Sequence, residues 1–294
     1  MRLRTLPLSL SGIIVGSALA GYSGKWDSLI LSLAIVTTVL FQILSNLAND
    51  LGDSQKGTDN KDRIGPTRGV QSGIISEKGM KLGVITAAIL AVVSASFLIC
   101  ASAQHLSTEL IWFYIFLAIL SILAAIMYTV GKSAYGYYGF GDLMVFLFFG
   151  MLSVLGVFSL YGLSFEWLTL FPAISIGLWS TAVLNLNNMR DFENDRNSQK
   201  RTMVVQLGLR KAKLYHMFLI VTGFISWGVM LGIFVYLTCN WFVLIAVLPS
   251  IVFYRHLKKV AVISEARDFD GELKKVALVT FFSSLLFAIA LFSG

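Results

Sequence analysis

Cysteine is nearly absent: Cys100 and Cys239 stand far apart, each near the end of an apolar run. That excludes a disulfide framework and a cysteine metal cluster, and it predicts packing roles for both. The three histidines, His105, His216 and His256, are scattered without ligand spacing, so they too are expected in surface or packing roles. Charge is scarce as well, with 13% of 294 residues charged against 56% hydrophobic and a mean hydropathy of +0.78. The apolar/polar alternation of barrel strands is missing, and apolar runs of about 18 or more residues recur instead, the pattern of membrane-spanning helices. The expectation is an all-α, polytopic membrane protein of nine transmembrane helices, near 6–23, 28–48, 80–101, 109–130, 140–163, 166–187, 213–236, 240–257 and 274–293, forming one domain over 1–294. The basic, then apolar start "MRLRTLPLSLSGIIVG" lacks a small-residue cleavage site followed by a soluble domain, so the first span is expected to be retained.

The few charges are distributed unevenly. With nine spans, 22 of the 23 Lys and Arg fall on the side of the N-terminus, and Lys25 alone lies opposite. The positive-inside rule then makes the N-terminus cytoplasmic, together with caps at about 49–80 and 188–212. The formal charge of +7 is read as topology plus attraction to anionic membrane lipid. No nucleic acid partner is expected, because the basic residues lie in short loops without a recognition motif.

Against this apolar background stands "NLANDLGDSQKGTDNKDRIGPTRG", residues 46–69, at the end of the second span. It is echoed 141 residues later by "NNMRDFENDRNSQKRT", residues 187–202, at the end of the sixth. The pairing implies two similar halves whose polar ends meet in the bundle. On a helix, Asn46, Asp50 and Asp53 share one face, as do Asn187, Asp191 and Asp195. Clustered carboxylates repel unless a cation sits among them, and ionisable clusters at a membrane edge are costly without a task. Magnesium suits such a set: it prefers oxygen and is usually held by one or two carboxylates plus phosphate oxygens. Two opposed faces would hold two Mg2+ ions bridging a diphosphate, with Lys56, Arg63, Arg68, Lys200 and Arg201 nearby to neutralise the rest of the anion.

These arrays resemble the paired Asp-rich motifs of the UbiA superfamily of intramembrane aromatic prenyltransferases. They are most similar to its 1,4-dihydroxy-2-naphthoate polyprenyltransferase branch, in menaquinone biosynthesis. A third similar stretch is "YTVGKSAYGYYGFGD", residues 128–142, and the likeness extends to "RLRTLPLSLSGIIVGSALA" at the start. The wider superfamily often has a third carboxylate where this chain has Gly57, with Asp59 two residues further on. The resemblance implies Mg-dependent transfer of a polyprenyl group from polyprenyl diphosphate to 1,4-dihydroxy-2-naphthoate, with decarboxylation, in a prokaryotic inner membrane with the site facing the cytoplasm. Under it, Asp50, Asp53, Asp191 and Asp195 become metal ligands, and Asn46, Asn49 and Asn187 orient them or the diphosphate. Lys56, Arg63, Arg68 and Lys200 contact the diphosphate, Lys132 serves the diphosphate or the acceptor carboxylate, and Tyr128 and Asp142 hold the acceptor. Alternatives are another acceptor, such as 4-hydroxybenzoate, or a secondary transporter. Transport is disfavoured because the acids sit at span ends and the span middles lack charge.

Two further expectations concern packing. The spacings Gly12-xxx-Gly16 and Gly228-xxx-Gly232 suggest close helix contacts. Glu265, Asp268, Asp270 and Glu272, with Arg267 and Lys274, read as a solvated loop between the last two spans.

Overall fold

The computed structural model describes residues 6–60, 64–65, 68–131 and 133–293. Among the described residues the long helices are α1 Leu6–Tyr22, α2 Ser28–Gln55, α3 Glu77–Ser102, α4 Thr108–Met127, α5 Gly141–Leu160, α6 Trp167–Arg190, α7 Leu209–Thr238, α8 Trp241–Val262 and α9 Phe269–Phe292. Eight are long and apolar enough to cross a membrane; α1, at 17 residues, is shorter. At 1.5 Å per residue α1 spans about 25 Å, against roughly 30 Å of hydrocarbon in a bilayer.

Side-chain caps start several of these helices. Asp27 accepts from the backbone N–H groups of Leu29 (2.7 Å) and Ile30 (3.3 Å), and Ser76 and Ser107 cap α3 and α4 in the same way. The middle of α5, Phe146–Gly156, is wound as a π-helix, and the first half of α8 as a tight 3-10 helix that contains Pro249.

Between lipid-bathed helices there is little water to expel, so close packing must hold the bundle. α1 lies against α5 so closely that a Cβ on Gly16 would come 2.6 Å from the Val154 carbonyl oxygen, and Gly12 faces Ser153 at equally short range. The expected contact at Gly228 and Gly232 does not form: a Cβ on either would meet nothing within 4 Å. Both cysteines are exposed rather than packed. A larger apolar cluster runs through α1 and α5–α9 around Trp179, Trp227 and Phe287, reaching Ile30 and Ala34 of α2, Leu98 of α3 and Tyr114 of α4, and both indoles donate to backbone carbonyls, of Ile220 and Ala246, each at 3.3 Å. A smaller one joins Leu44, Ala48 and Leu51 of α2 to Met80, Val84 and Ala87 of α3, with Ile122 and Ile126 of α4 against it.

The buried polar groups depart from expectation behind this core. His216 and His256 meet Nε2 to Nε2 at 2.8 Å, and His256 Nδ1 lies 2.7 Å from Glu272 Oε2, all within the bundle. Glu272 is therefore buried and Asp270 is an ion-pair partner of Arg190, rather than parts of a solvated loop. The residues concerned are far apart in sequence and meet only because α7, α8 and α9 pack side by side.

Candidate active site

A cavity of about 730 Å3 lies between the α2–α4 group and the rest of the bundle. The α6 wall is one helical face, while the α2 wall winds around its helix towards the charged end. On α2 the lining runs from Thr37 and Phe41 through Asn46 and Asp50 to Asp53, and on α6 from Ser180 and Val183 to Asn187 and Asp191. The same geometry puts both acid arrays at one end and mostly aliphatic or aromatic side chains, with scattered hydroxyls such as Thr37, Ser121 and Ser153, along the remainder.

Asn46, Asn49, Asp50, Asp53, Arg68, Tyr128, Asn187, Asp191, Asp195 and Lys200 all line this cavity. Lys56 and Asp142 are not among the lining residues, and Arg63 and Lys132 lie outside the described residues. Asp142 is buried behind the wall, where its carboxylate hydrogen-bonds to Tyr215 and its carbonyl accepts from Thr181 Oγ1 at 3.3 Å. Lys56 sits over the Tyr137 ring, its Nζ 3.9 Å from the centroid.

The two arrays meet through cations. Lys200 Nζ is 3.3 Å from Asp53 Oδ1 and 4.0 Å from Asp195 Oδ1, bridging the α2 end to the α6 end. Arg68 pairs with Asp50 and reaches Asp53 at 3.8 Å and Asp59 at 3.7 Å. Arg190 grips Asp191 through Nε (3.0 Å) and Nη2 (2.7 Å), and also donates to Asn187 Oδ1 (2.9 Å) and Asp270 Oδ1 (2.6 Å). Asn194 Nδ2 ties the second cap to the first by donating to the Thr58 carbonyl at 2.8 Å.

Local backbone explains the odd spacing of the first array. Gly57 has φ 70°, a left-handed turn that glycine takes without strain, and it ends α2. A third carboxylate there would strain the turn, while Asp59, folded back by N–H bonds from Thr58 and Asp59 to the Asp53 carbonyl, brings its side chain to Arg68. The second array is less regular than its i, i+4, i+8 spacing suggests. α6 stops at Arg190, Asp191 sits at a break with φ −95° and ψ 12°, and a short helix, Phe192–Asn197, carries Asp195 onward.

Three contributors were not singled out from sequence. Tyr137 donates to Asp53 Oδ1 at 2.8 Å and lies 2.6 Å from the Thr58 hydroxyl, so it pins residues 135–138 to the first array. Arg190 and Asp270 are the other two. Tyr137 and Arg190 lie inside the quoted stretches, yet only the folded bundle separates Tyr137 from Tyr135 and Tyr138.

The electrostatics follow the same contacts. Burial alone would lower the Lys200 ammonium, but Asp53 and Asp195 outweigh it and hold its pKa above the ordinary value. Lys56 is shifted down, first by burial and then, against the pull of Asp53, by Lys200. Burial and the neighbouring Asp53 carboxylate push the Tyr137 phenol up, keeping it a hydrogen-bond donor.

Among the described residues no three His, Cys, Asp or Glu side chains form a metal shell by themselves. The donor set nonetheless fits a hard divalent ion: carboxylates come in pairs from two helix ends, and Mg2+ takes its remaining ligands from water and phosphate oxygens. Asn46 Nδ2, buried in the cavity wall without a hydrogen-bond partner among the described residues, is a donor suited to an anionic oxygen.

Known proteins share both this bundle and its sequence. The signature of the UbiA prenyltransferase family matches residues 9–285. The 1,4-dihydroxy-2-naphthoate octaprenyltransferase of Escherichia coli (strain K12) is 48% identical over 216 residues, 74% of this chain and 70% of that one. The protein of the same name from Haemophilus influenzae is 38% identical over 295 residues, 100% and 94% of the two chains. Among solved structures, a UbiA homolog from Aeropyrum pernix K1 superposes with a TM-score of 0.67 at 14% identity, covering 100% of this chain and 98% of that one. Another from Archaeoglobus fulgidus, bound to DMAPP and Mg2+, gives 0.60 at 14% identity, with coverage of 98% and 99%. At that identity the structural likeness speaks to the fold, whereas the sequence match runs through both acid arrays and nearly every helix, so the chain belongs to the UbiA prenyltransferase family.

Proposed function

We propose that the protein transfers a polyprenyl group from polyprenyl diphosphate to 1,4-dihydroxy-2-naphthoate, with loss of carbon dioxide, giving demethylmenaquinol for menaquinone biosynthesis. The observation that carries this reading is one cavity with acids and cations at one end and apolar walls along the rest. A diphosphate with a long hydrocarbon tail has that same division. The acceptor is assigned from the relatives, which carry the naphthoate name at 38–48% identity.

Asp50, Asp53, Asp191 and Asp195 would hold Mg2+, directly or through water, as two ions bridging the diphosphate. Bound there, the metal supplies positive charge to the oxygens of the leaving pyrophosphate. Lys200 and Arg68 bring fixed positive charge to the same oxygens, and Asn46 donates to one of them. Lys56, beside Tyr137, adds a cation at the rim. As the bond from carbon to oxygen breaks, the allylic carbon becomes cationic, and the apolar walls exclude water that would otherwise capture it. Tyr128 lies at the junction of charged end and apolar walls, where an aromatic acceptor would meet that carbon. The lopsided distribution of Lys and Arg supports a cytoplasmic face for the charged end, in a prokaryotic inner membrane.

The test is to incubate purified protein in detergent or lipid with 1,4-dihydroxy-2-naphthoate, radiolabelled polyprenyl diphosphate and Mg2+, with EDTA and Asp191→Ala as controls. A prenylated, decarboxylated naphthol that disappears in both controls is expected. Product with 4-hydroxybenzoate and none with the naphthoate would overturn the acceptor while keeping the prenyl transfer.

A further inference from the structure

We infer that Tyr114 is the stop that determines how long a prenyl chain lies inside the cavity, an inference that rests on the proposed prenyl transfer. Along α4 the lining residues Tyr114, Leu117, Ser121, Ala124 and Tyr128 form one helical stripe. Tyr128 stands near the acids, and Tyr114 is the lining residue of α4 furthest from them. On the neighbouring walls the lining runs as far as Ile99 on α3 and Leu160 on α5. From Tyr128 to Tyr114 the stripe covers about 21 Å at 1.5 Å per residue.

Tyr114 is held in place from the neighbouring helix. Its Oη donates to the Gly156 carbonyl at 2.7 Å and meets the Ser159 hydroxyl, while the ring is 7% exposed. Swinging the ring aside would break these bonds in an apolar setting, where the freed polar groups have no water to turn to. An aromatic ring tied in this way is a fixed end wall, whereas the aliphatic side chains beside it can change rotamer. Carbons of a donor that would extend past Tyr114 must bend back or leave between helices, so each added isoprene beyond the stop gains little contact. The ring blocks by its size, and close packing around this buried residue holds it in place alongside these bonds, so the block outlasts loss of the hydroxyl.

The experiment compares kcat/KM for farnesyl and octaprenyl diphosphate in the wild type, Tyr114→Phe and Tyr114→Ala, each checked for folding by size-exclusion chromatography. Tyr114→Leu replaces the alanine variant if that one does not fold. Phenylalanine keeps the ring, so the octaprenyl-to-farnesyl ratio should stay near that of the wild type. Alanine opens space for more than one methylene, each worth about tenfold or more in an apolar pocket, so the ratio should rise by roughly tenfold or more. An unchanged ratio in the alanine or leucine variant overturns the inference, as does a rise in Tyr114→Phe equal to that in alanine, which would place the effect in the hydroxyl tie. If the wild type transfers neither chain to any acceptor, the prenyl-transfer reading fails and the inference with it. Transfer with an unaltered ratio sinks the inference alone.

Discussion

Replacing Tyr137 by Phe removes one oxygen and leaves the ring under Lys56. The lost bond, 2.8 Å from Tyr137 Oη to Asp53 Oδ1, is buried and charge-assisted, a class that contributes about 1.5–3 kcal/mol. The Thr58 hydroxyl, 2.6 Å from the same oxygen and itself buried, loses its acceptor. Asp53 keeps Lys200 at 3.3 Å and Arg68 at 3.8 Å, so its charge stays compensated and the loss should not grow to that of an orphaned ion. Thermal unfolding in detergent should therefore fall by roughly 3 to 12 °C for a chain of this size. If Asp53 must be held in one orientation to serve the diphosphate, the same energy appears in catalysis, as a fall of about 10- to 100-fold in kcat/KM. Magnesium titration of the prenyl-transfer rate separates the two effects, since a misoriented Asp53 raises the Mg2+ requirement. A variant with unchanged melting and kcat/KM within twofold of wild type would refute the claim that Tyr137 anchors the 135–138 segment to the first array.

Gly52→Ala puts a Cβ 2.5 Å from the Thr129 carbonyl carbon, a backbone atom that cannot rotate away, so α2 must separate from the 128–130 segment beside Asp53. Overpacking of this kind costs about 1–3 kcal/mol, and a melting temperature equal to wild type would show that the contact is not close. Lys56 supplies a pH test. Its folded pKa lies below the unfolded value, so between the two the unfolded chain binds more protons, and stability rises with pH through that interval. Wild type should gain melting temperature relative to Lys56→Gln as pH is raised from neutrality towards 10.5; a difference that stays flat, or shrinks, would contradict the assignment.

Much of the fold was readable because a bilayer forces regular helices, and long apolar runs mark them one by one. Asn46, Asp50 and Asp53 follow the helical period, so the polar end of this wall could be drawn from numbering alone. The second array shows where this stops. Nothing in "NNMRDFEND" carries a glycine or proline, yet the helix breaks at Asp191, where Arg190 folds over both of its oxygens. The His216–His256–Glu272 chain was equally hidden, since it spans three helices and each member looks ordinary in its own segment. Gly228 and Gly232 were misread for the converse reason: a spacing that permits close approach does not supply a partner, and their face of α7 points away from the neighbouring helices. Asp142 is a milder case. Its neighbour Gly141 lines the cavity, but one residue along a helix turns the side chain by about 100°, here towards Tyr215.

The charge balance of the site bears on the order in which ligands enter. Asp50, Asp53, Asp59, Asp191, Asp195 and Asp270 share Arg68, Arg190 and Lys200, so each of these three cations is already engaged by more than one carboxylate. Most of these groups are buried, and each carboxylate is stabilised by sharing a cation with another. A diphosphate approaching this cluster alone meets cations already engaged by carboxylates, and it gains them only by drawing Arg68 or Lys200 away from the aspartates. That exchange leaves buried carboxylates exposed to one another, at a cost of several kcal/mol for each uncompensated ion. Under the proposed function, divalent cations arriving with the diphosphate would be held by the aspartates in place of these side chains, leaving Arg68 and Lys200 to the phosphate oxygens. Affinity for the diphosphate should accordingly be lost when the divalent ion is withheld, even with every residue of the site in place.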